Sequence, residues 1–386
     1  MIKKERIDIT VDEKILSENP QRVERLNRTA QFLPVDRIPV LIKDTQFVAL
    51  RARGVLFKEY VASARDNMRQ QILNYKWAEE NMFDDAPIET KQLSVTQDFG
   101  ALRGIEFPME IKWMDDQPAK TVHMLHEPEQ IDTLSVPDPN TGLCAKKIQW
   151  YKDMLLCQED FDVRLNGTPL ELQVVIEQAG GPIPSAFALA GENLFIWMLT
   201  EPERAHKLMQ IVTMSFCQVA EYFDDLANRS HDHSQGMGAD TAEMLSPALF
   251  REFVVPYYQS VWTRFKGNRL FHMCGKIDHL LDILRNDLKI SLLDNFGFPT
   301  AVGALDDKLA GYARLTGGPS PMLIHDGPVS SITEECIRYL KILGPKGGFT
   351  LTAGGGIAPG TPAQHCEAML KASRRIGFPA KTLDKF

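Results

Sequence analysis

Short apolar segments that end in a polar side chain recur along this chain and alternate with helical stretches. That alternation constrains the fold more than any other feature. After residue 165 it is regular: LQVVIEQ (172–178), QGMGAD (235–240), RLFHMC (269–274), ISLLD (290–294), MLIHD (322–326) and FTLTA (349–353) read as strands. RIPVLI (37–42) and a weaker LSVTQDF (93–99) raise the number to eight. Strands that alternate with helices build parallel βαβ units. Eight of them fit a closed (β/α)8 TIM barrel, with a doubly wound open sheet as the alternative. A chain of 386 residues is within the range of one such barrel. The expectation is therefore a single α/β domain over 1–386, with an irregular N-terminal extension over roughly 1–35.

The helical stretches carry their own signals. NPQRVERLNRTAQFL places Val23, Leu26 and Ala30 on one face. A long helix is expected over about 201–226, with Thr200 as cap and Glu203 completing a capping box. Ala205, Leu208, Met209, Val212, Phe216, Val219 and Phe223 recur at helical spacing and should face the core. Ser246-Pro247 opens another helix, with Phe250, Phe253, Val254, Tyr257 and Val261 inward and a kink at Pro256.

Composition excludes several function classes. The net charge is -8, so there is no basic surplus to neutralise phosphates, and nucleic acid is not the expected partner. No apolar run reaches the roughly 18 residues of a membrane span, and the charged start MIKKERIDITVDEK lacks the apolar core of a secretory signal. The six cysteines are scattered, with no CxxC pair. A cytoplasmic protein with reduced thiols follows as the expectation.

The polar strand ends point to the chemistry. Parallel barrel strands are buried on both faces and mostly apolar, and catalytic groups of such barrels collect at the C-terminal ends. Asp240, His272 with Cys274, Asp294, and His325 with Asp326 all end a proposed strand. His272 and Cys274 are two residues apart, so on a strand both point to one face. One imidazole and one thiolate begin a zinc site, which a carboxylate or second imidazole from a neighbouring strand would complete. HxC alone is a weak signal, because cysteine is a common core residue. HDHS (231–234) reads as a solvated loop. The turns GGPIPS and TAGGGIAPG can present backbone N–H groups to an anionic part of a ligand, which makes Gly354, Gly355 and Gly356 candidate cofactor contacts. Neither turn matches a Walker or dinucleotide fingerprint, and there is no GxSxG elbow.

LPVDRIPV, FALAGENLFIWMLTEPERAHKLM, LSPALFREFVVPYY, HMCG and GGGIAPGTPAQHCEAML together resemble the uroporphyrinogen decarboxylase superfamily, in its order and over nearly the whole chain. The resemblance implies a TIM barrel and two chemistries. The true decarboxylases carry an arginine-rich WxMRQAGR segment; RIPVLIKDTQF stands where it would begin. The cobamide-dependent methyltransferases hold zinc with an HxC pair and a distant cysteine, and exchange a methyl group with a corrinoid carried by a partner protein. His272 and Cys274 match the pair, but Gly355 stands where the distant cysteine is expected. The resemblance thus implies a Zn2+ site of His272, Cys274 and a substitute, for which Asp294 is chosen over Asp240 and His325. Asp240, Asp294 and His325 are the candidate catalytic groups. A carboxylate in place of a thiolate would leave the metal harder and more electrophilic, which favours demethylation of a small methylated donor such as an aryl methyl ether. A decarboxylase and a non-enzymatic binding barrel are the alternative readings. A homodimer is the expected assembly if the chain is not alone.

Overall fold

In the computed structural model, residues 4–42 and 45–377 are described. Part of the RIPVLIKDTQF segment, Lys43 and Asp44, lies outside them. The strands are β1 (Glu5–Ile9), β2 (Gln92–Val95), β3 (Ile111–Lys112), β4 (Lys120–Thr121), β5 (Phe161–Leu165), β6 (Thr168–Pro169), β7 (Glu171–Val174), β8 (Met237–Gly238), β9 (Leu270–His272), β10 (Leu292–Phe296), β11 (Arg314–Gly317) and β12 (Phe349–Leu351). Five of them form one sheet in the order β12-β11-β10-β9-β8, all parallel. Val40 bridges to Leu351 on the β12 side. On the β8 side, Gly238 N–H donates to Gly180 O at 2.7 Å, beyond the end of β7. β7 in turn pairs in parallel with β2. Among the described residues, no backbone pair joins Val40 to β2. The architecture shown is thus α/β with parallel strands.

Seven of the eight expected segments contribute a strand or a bridge where the sequence places one, although RIPVLI supplies only the bridge at Val40. MLIHD does not: Pro321–Asp326 is a helix. Ser320 caps it by accepting from Met322 N–H, and Pro321 holds the first helical position with the dihedral a helix needs. The strand in that place is β11, RLTG, whose single large apolar residue gave no pattern to read.

The N-terminal segment is ordered, not irregular. β1 lies parallel to β5, which pairs with β6. The helix Asn19–Ala30 buries Arg22, Arg25 and Thr29, while Val23 is 40% exposed. Its expected apolar face is therefore corrected. Arg25 donates to Asp36 and to Asp85, and Arg37 also binds Asp85. Asp85 accepts in addition from Val40 N–H at 2.8 Å. A buried guanidinium is tolerated only with such partners, and they lie too far along the chain for helical periodicity to reveal.

The long helix runs over Pro202–Leu226 and buries all of its expected core positions. Its cap differs: Thr200 belongs to the preceding helix, where its Oγ1 donates to Ile196 O, and no side chain caps Pro202. Ser246 does cap Pro247–Phe253, and the helix breaks at Val254 before Pro256, which has no N–H to give. Among the described residues no single helix is long and apolar enough to cross a membrane.

Alternation along the five-stranded sheet sets up the site. Phe271, Leu293 and Leu315 are buried against the helices, with Tyr258 edge-on to Phe271. Leu270, His272, Leu292, Asp294, Arg314 and Thr316 occupy the other face and remain half-buried.

Candidate metal and active site

Pairing in register puts the polar strand ends side by side. His272 lies opposite Gly238 on β8 and opposite Asp294 on β10. Its Nε2 is 3.3 Å from Asp240 Oδ1, and its Nδ1 is 3.6 Å from Asp294 Oδ2. The ligand atoms of Asp240, His272 and Cys274 all lie within 4.8 Å of one another. Of the sequence-derived site residues, the structure thus gathers Asp240, His272 and Cys274 into one cluster. Asp294 stands on the other side of the imidazole.

Backbone geometry holds this arrangement. Cys274 N–H donates to Asp240 Oδ1 at 3.0 Å, Lys276 N–H to Glu243 Oε2 at 2.6 Å, and Ile277 N–H to Thr300 Oγ1 at 3.1 Å. The turn after Cys274 needs glycine, because a Cβ on Gly275 would sit 1.5 Å from Glu243 Oε2. Asn295 has φ 57° at a register shift in β10. Asparagine is one of the few side chains that accepts that region. The bulge lets Thr316 Oγ1 accept from Asn295 N–H and donate to Asp294 Oδ1 at 2.9 Å, which fixes the carboxylate.

The electrostatics are those of a tight acid–base cluster. Burial works against the Asp240 charge, but the hydrogen bond and charge of His272, with bonds from Cys274, hold its pKa at about 2. Burial also works against a charged His272. Hydrogen bonds to Asp240, Asp294 and Cys274 outweigh it and raise the ring to about 12. With protons alone, His272 is an imidazolium between two carboxylates.

These residues fit zinc. Imidazole nitrogen, thiolate sulfur and a carboxylate oxygen are the donors such an ion takes, and three protein ligands leave the fourth position for chemistry. Asp294, 3.6 Å from Nδ1, stands where a carboxylate would orient His272 if Nε2 held the ion.

Two cavities meet at the cluster. One, of about 1170 Å³, is bordered by Phe47, Asp98, Gln117, Asn295, Gly356 and Ile357. The other, of about 840 Å³, is bordered by Gln178, His233, Gln235, Gly236, Leu270 and Leu292. Arg103, Asp240, His272 and Asp294 border both.

The remaining candidates are placed as follows. His325 is on the Pro321–Asp326 helix, with Nδ1 2.7 Å from Asp326 Oδ1, and borders neither of these cavities. Its expected strand-end position is corrected with the strand itself. Gly354 is pressed against Gly318 O and Phe298 N, where a Cβ would lie 2.6 and 2.7 Å away. Gly355 has φ 130°, and its N–H donates to Asn295 Oδ1 at 3.2 Å. Cys366 is buried, its thiol pushed up to about 12 by that burial. HDHS is only half solvated: His233 Nε2 is 2.7 Å from the buried Asp224, which also accepts from Arg229. Sequence reasoning missed Arg103, whose loop carries no motif. Its guanidinium feels Asp240 and Tyr258, and burial lowers its pKa.

Known proteins give a consistent picture. A chain described as a methyltransferase from Methanosarcina mazei shares the fold, with a TM-score of 0.63 at 17% identity, over 91% of this chain and 98% of that one. The methylated-thiol–coenzyme M methyltransferase of Methanosarcina mazei is 23% identical over 211 residues, 53% of this chain and 54% of that protein. The methylcobamide:CoM methyltransferase MtaA of Methanosarcina barkeri is 29% identical over 135 residues, 34% of this chain and 37% of its own length. The chain thus spans about half or less of the length of these two curated relatives. The uroporphyrinogen decarboxylase (URO-D) profile, by contrast, matches residues 21–376, and the chain belongs to that family.

Proposed function

We propose that this protein is a zinc-dependent methyltransferase that moves a methyl group between a small methylated donor, such as an aryl methyl ether, and a corrinoid carried by a partner protein. The parallel strands are read as a closed (β/α)8 barrel and the chain as one domain. The observation that carries the proposal is the cluster of Asp240, His272 and Cys274, of which Asp240 and His272 stand where the two cavities meet.

Asp240 Oδ, His272 Nε2 and Cys274 Sγ would hold the ion, and Asp294 would keep the His272 ring in the ligating tautomer through Nδ1–H. This revises the choice of Asp294 as third ligand in favour of Asp240. Zinc there supplies a Lewis acid. An ether oxygen leaves poorly until its developing negative charge is stabilised, and the carboxylate of Asp240 in the ligand set keeps the centre harder than a second thiolate would. Gly354, Gly355 and Gly356 remain the proposed backbone contacts of the corrinoid side, with Gly356 on the wall of the wider cavity. Methyl transfer is preferred to decarboxylation of a polycarboxylate. Among the described residues, Arg51 and Arg103 are the only arginine or lysine side chains bordering the wider cavity, and Arg51 is paired with Asp116.

The test is incubation with a corrinoid protein and a panel of methylated donors and thiol acceptors. The expected result is conversion between the reduced and methylated corrinoid spectra, lost in His272→Ala and Cys274→Ala together with bound zinc. No spectral change across the panel, or wild-type zinc no higher than in the double variant, overturns the proposal.

A further inference from the structure

The strands give the two cavities an order. On β9 and β10, Leu270 and Leu292 border only the smaller cavity, His272 and Asp294 border both, and Asn295 borders only the larger. The cavities therefore lie on the N-terminal and C-terminal sides of the cluster. The smaller one exists because the inner row that runs from Gly236 into β8 is nearly bare. Gly236 and Gly238 occupy the positions where other parallel strands place large side chains to fill the interior. A Cβ on Gly236 would meet nothing closer than Leu270 Cβ at 3.8 Å.

From this we infer that the smaller cavity is the site of the methyl donor, an uncharged molecule with a ring-sized apolar body, while the larger cavity admits the corrinoid. The inference deepens the proposed methyl transfer and rests on it. Displacement at a methyl carbon needs the incoming and departing atoms on opposite sides. The bond to the corrinoid cobalt forms from the larger cavity, with the electron pair of the reduced metal. The bond to the donor heteroatom breaks towards the smaller one and leaves its pair on that atom. The demethylated product, a phenolate that takes a proton from solvent, stays in the smaller cavity and leaves by it.

The walls select the donor. Leu270, Leu292 and Pro184 give an apolar middle, and Gln178 and Gln235 give hydrogen-bonding groups beyond it. A volume of about 840 Å³ is ample for a one-ring ligand. At the far end Arg229 and His233 are both committed to Asp224, while Glu177 and Asp232 make no ion pair among the described residues. Over the whole lining, five carboxylates (Glu177, Asp224, Asp232, Asp240 and Asp294) stand against Arg103, Arg229 and the His272 ring, and that surplus of negative charge disfavours an anionic donor.

Calorimetric titration of the zinc-loaded protein with 2-methoxyphenol, without corrinoid, is the test. Gly236→Leu and Leu292→Phe fill the cavity from the β8 and the β10 side of β9, and each should weaken binding by about ten-fold or more while zinc content is kept. Gln117→Trp, on the rim of the larger cavity, should leave the affinity as it is. 4-Methoxybenzoate should bind more weakly than the phenol. Unchanged affinity in both filled variants, equal loss in Gln117→Trp, tighter binding of the benzoate, or no binding to the wild type overturns the inference. Melting curves identify a variant that has not folded, and the other then decides. Because no corrinoid is present, failure here leaves methyl transfer itself to its own spectral assay.

Discussion

Nδ1 of His272 lies 3.6 Å from Oδ2 of Asp294, while Nε2 on the other side of the ring lies 3.3 Å from Oδ1 of Asp240. A histidine so placed can present Nε2 to a metal while its other nitrogen holds a proton towards the carboxylate. Asp294→Asn should therefore lower zinc affinity by about 10- to 100-fold without abolishing binding. Cys274→Ala should remove it. Competition against a chromophoric chelator measures both, and equal affinity of Asp294→Asn and wild type would refute the orienting role.

The raised pKa of His272, about 12, means that zinc must displace a proton at neutral pH. Between about pH 6 and pH 8 the His272 proton alone should raise apparent zinc affinity about ten-fold per pH unit, and the proton given up by the Cys274 thiol on becoming a ligand should steepen this, so that between about one and two protons leave per ion. Titration in buffers of different ionisation enthalpy counts the protons. A flat profile over that range would contradict the imidazolium reading.

Without metal, the same groups make stability depend on pH, with opposite signs. Asp240 is depressed to about 2, so its contribution is full above the ordinary value of 3.8 and is lost as pH falls from there towards 2. His272 is raised, so its contribution is full below 6.5 and declines as pH rises from there towards about 12. In chelator, Asp240→Asn should flatten the acid limb of melting temperature against pH. An acid limb identical to wild type would show that Asp240 plays no part in it.

Asp85 is 1% exposed and binds Arg25, Arg37 and Val40 N–H. Asp85→Ala strands the Arg37 guanidinium and the Val40 N–H and leaves Arg25 with Asp36 alone, and should cost about 3–5 kcal/mol in denaturant unfolding. Val23→Lys, on the exposed face of the same helix, should change stability by less than about 0.5 kcal/mol. Similar losses in both would restore the apolar face that periodicity suggested.

A methyl group on Gly275 would overlap the Glu243 carboxylate, 1.5 Å away. Gly275→Ala should lower both melting temperature and zinc content, and Glu243→Ala should relieve much of the damage in the double variant. Additive effects of the two substitutions would mean that the clash is not what the glycine avoids.

Much of the site was legible because a strand has period two and a parallel sheet has fixed register. Those rules suffice to bring His272, Cys274, Asp240 and Asp294 to one rim. They fail for MLIHD, where five residues of apolar and polar character suit either element and Ser320-Pro321 decides for helix. They fail for the Asn19–Ala30 helix because its buried arginines answer to carboxylates outside the helix. Arg103 and the smaller cavity were invisible for a related reason. A glycine leaves space only relative to neighbours, and those neighbours come from two other strands, β9 and β10, the segment after β7 and the distant loop of Arg103.

The bridge between Val40 and Leu351 joins segments separated by most of the chain. During synthesis Val40 emerges early and must wait for its partner. Until β12 arrives, the edge of β11 and the backbone at Pro39 and Leu41, which pairs with Leu351, have no strand to bond. Such long-range closure is slow and leaves edges open to wrong partners. Nascent chains that end before Phe349 should therefore depend on chaperones, whereas chains extended through Leu351 can close the pairing that brings Gly356 to the wall of the site.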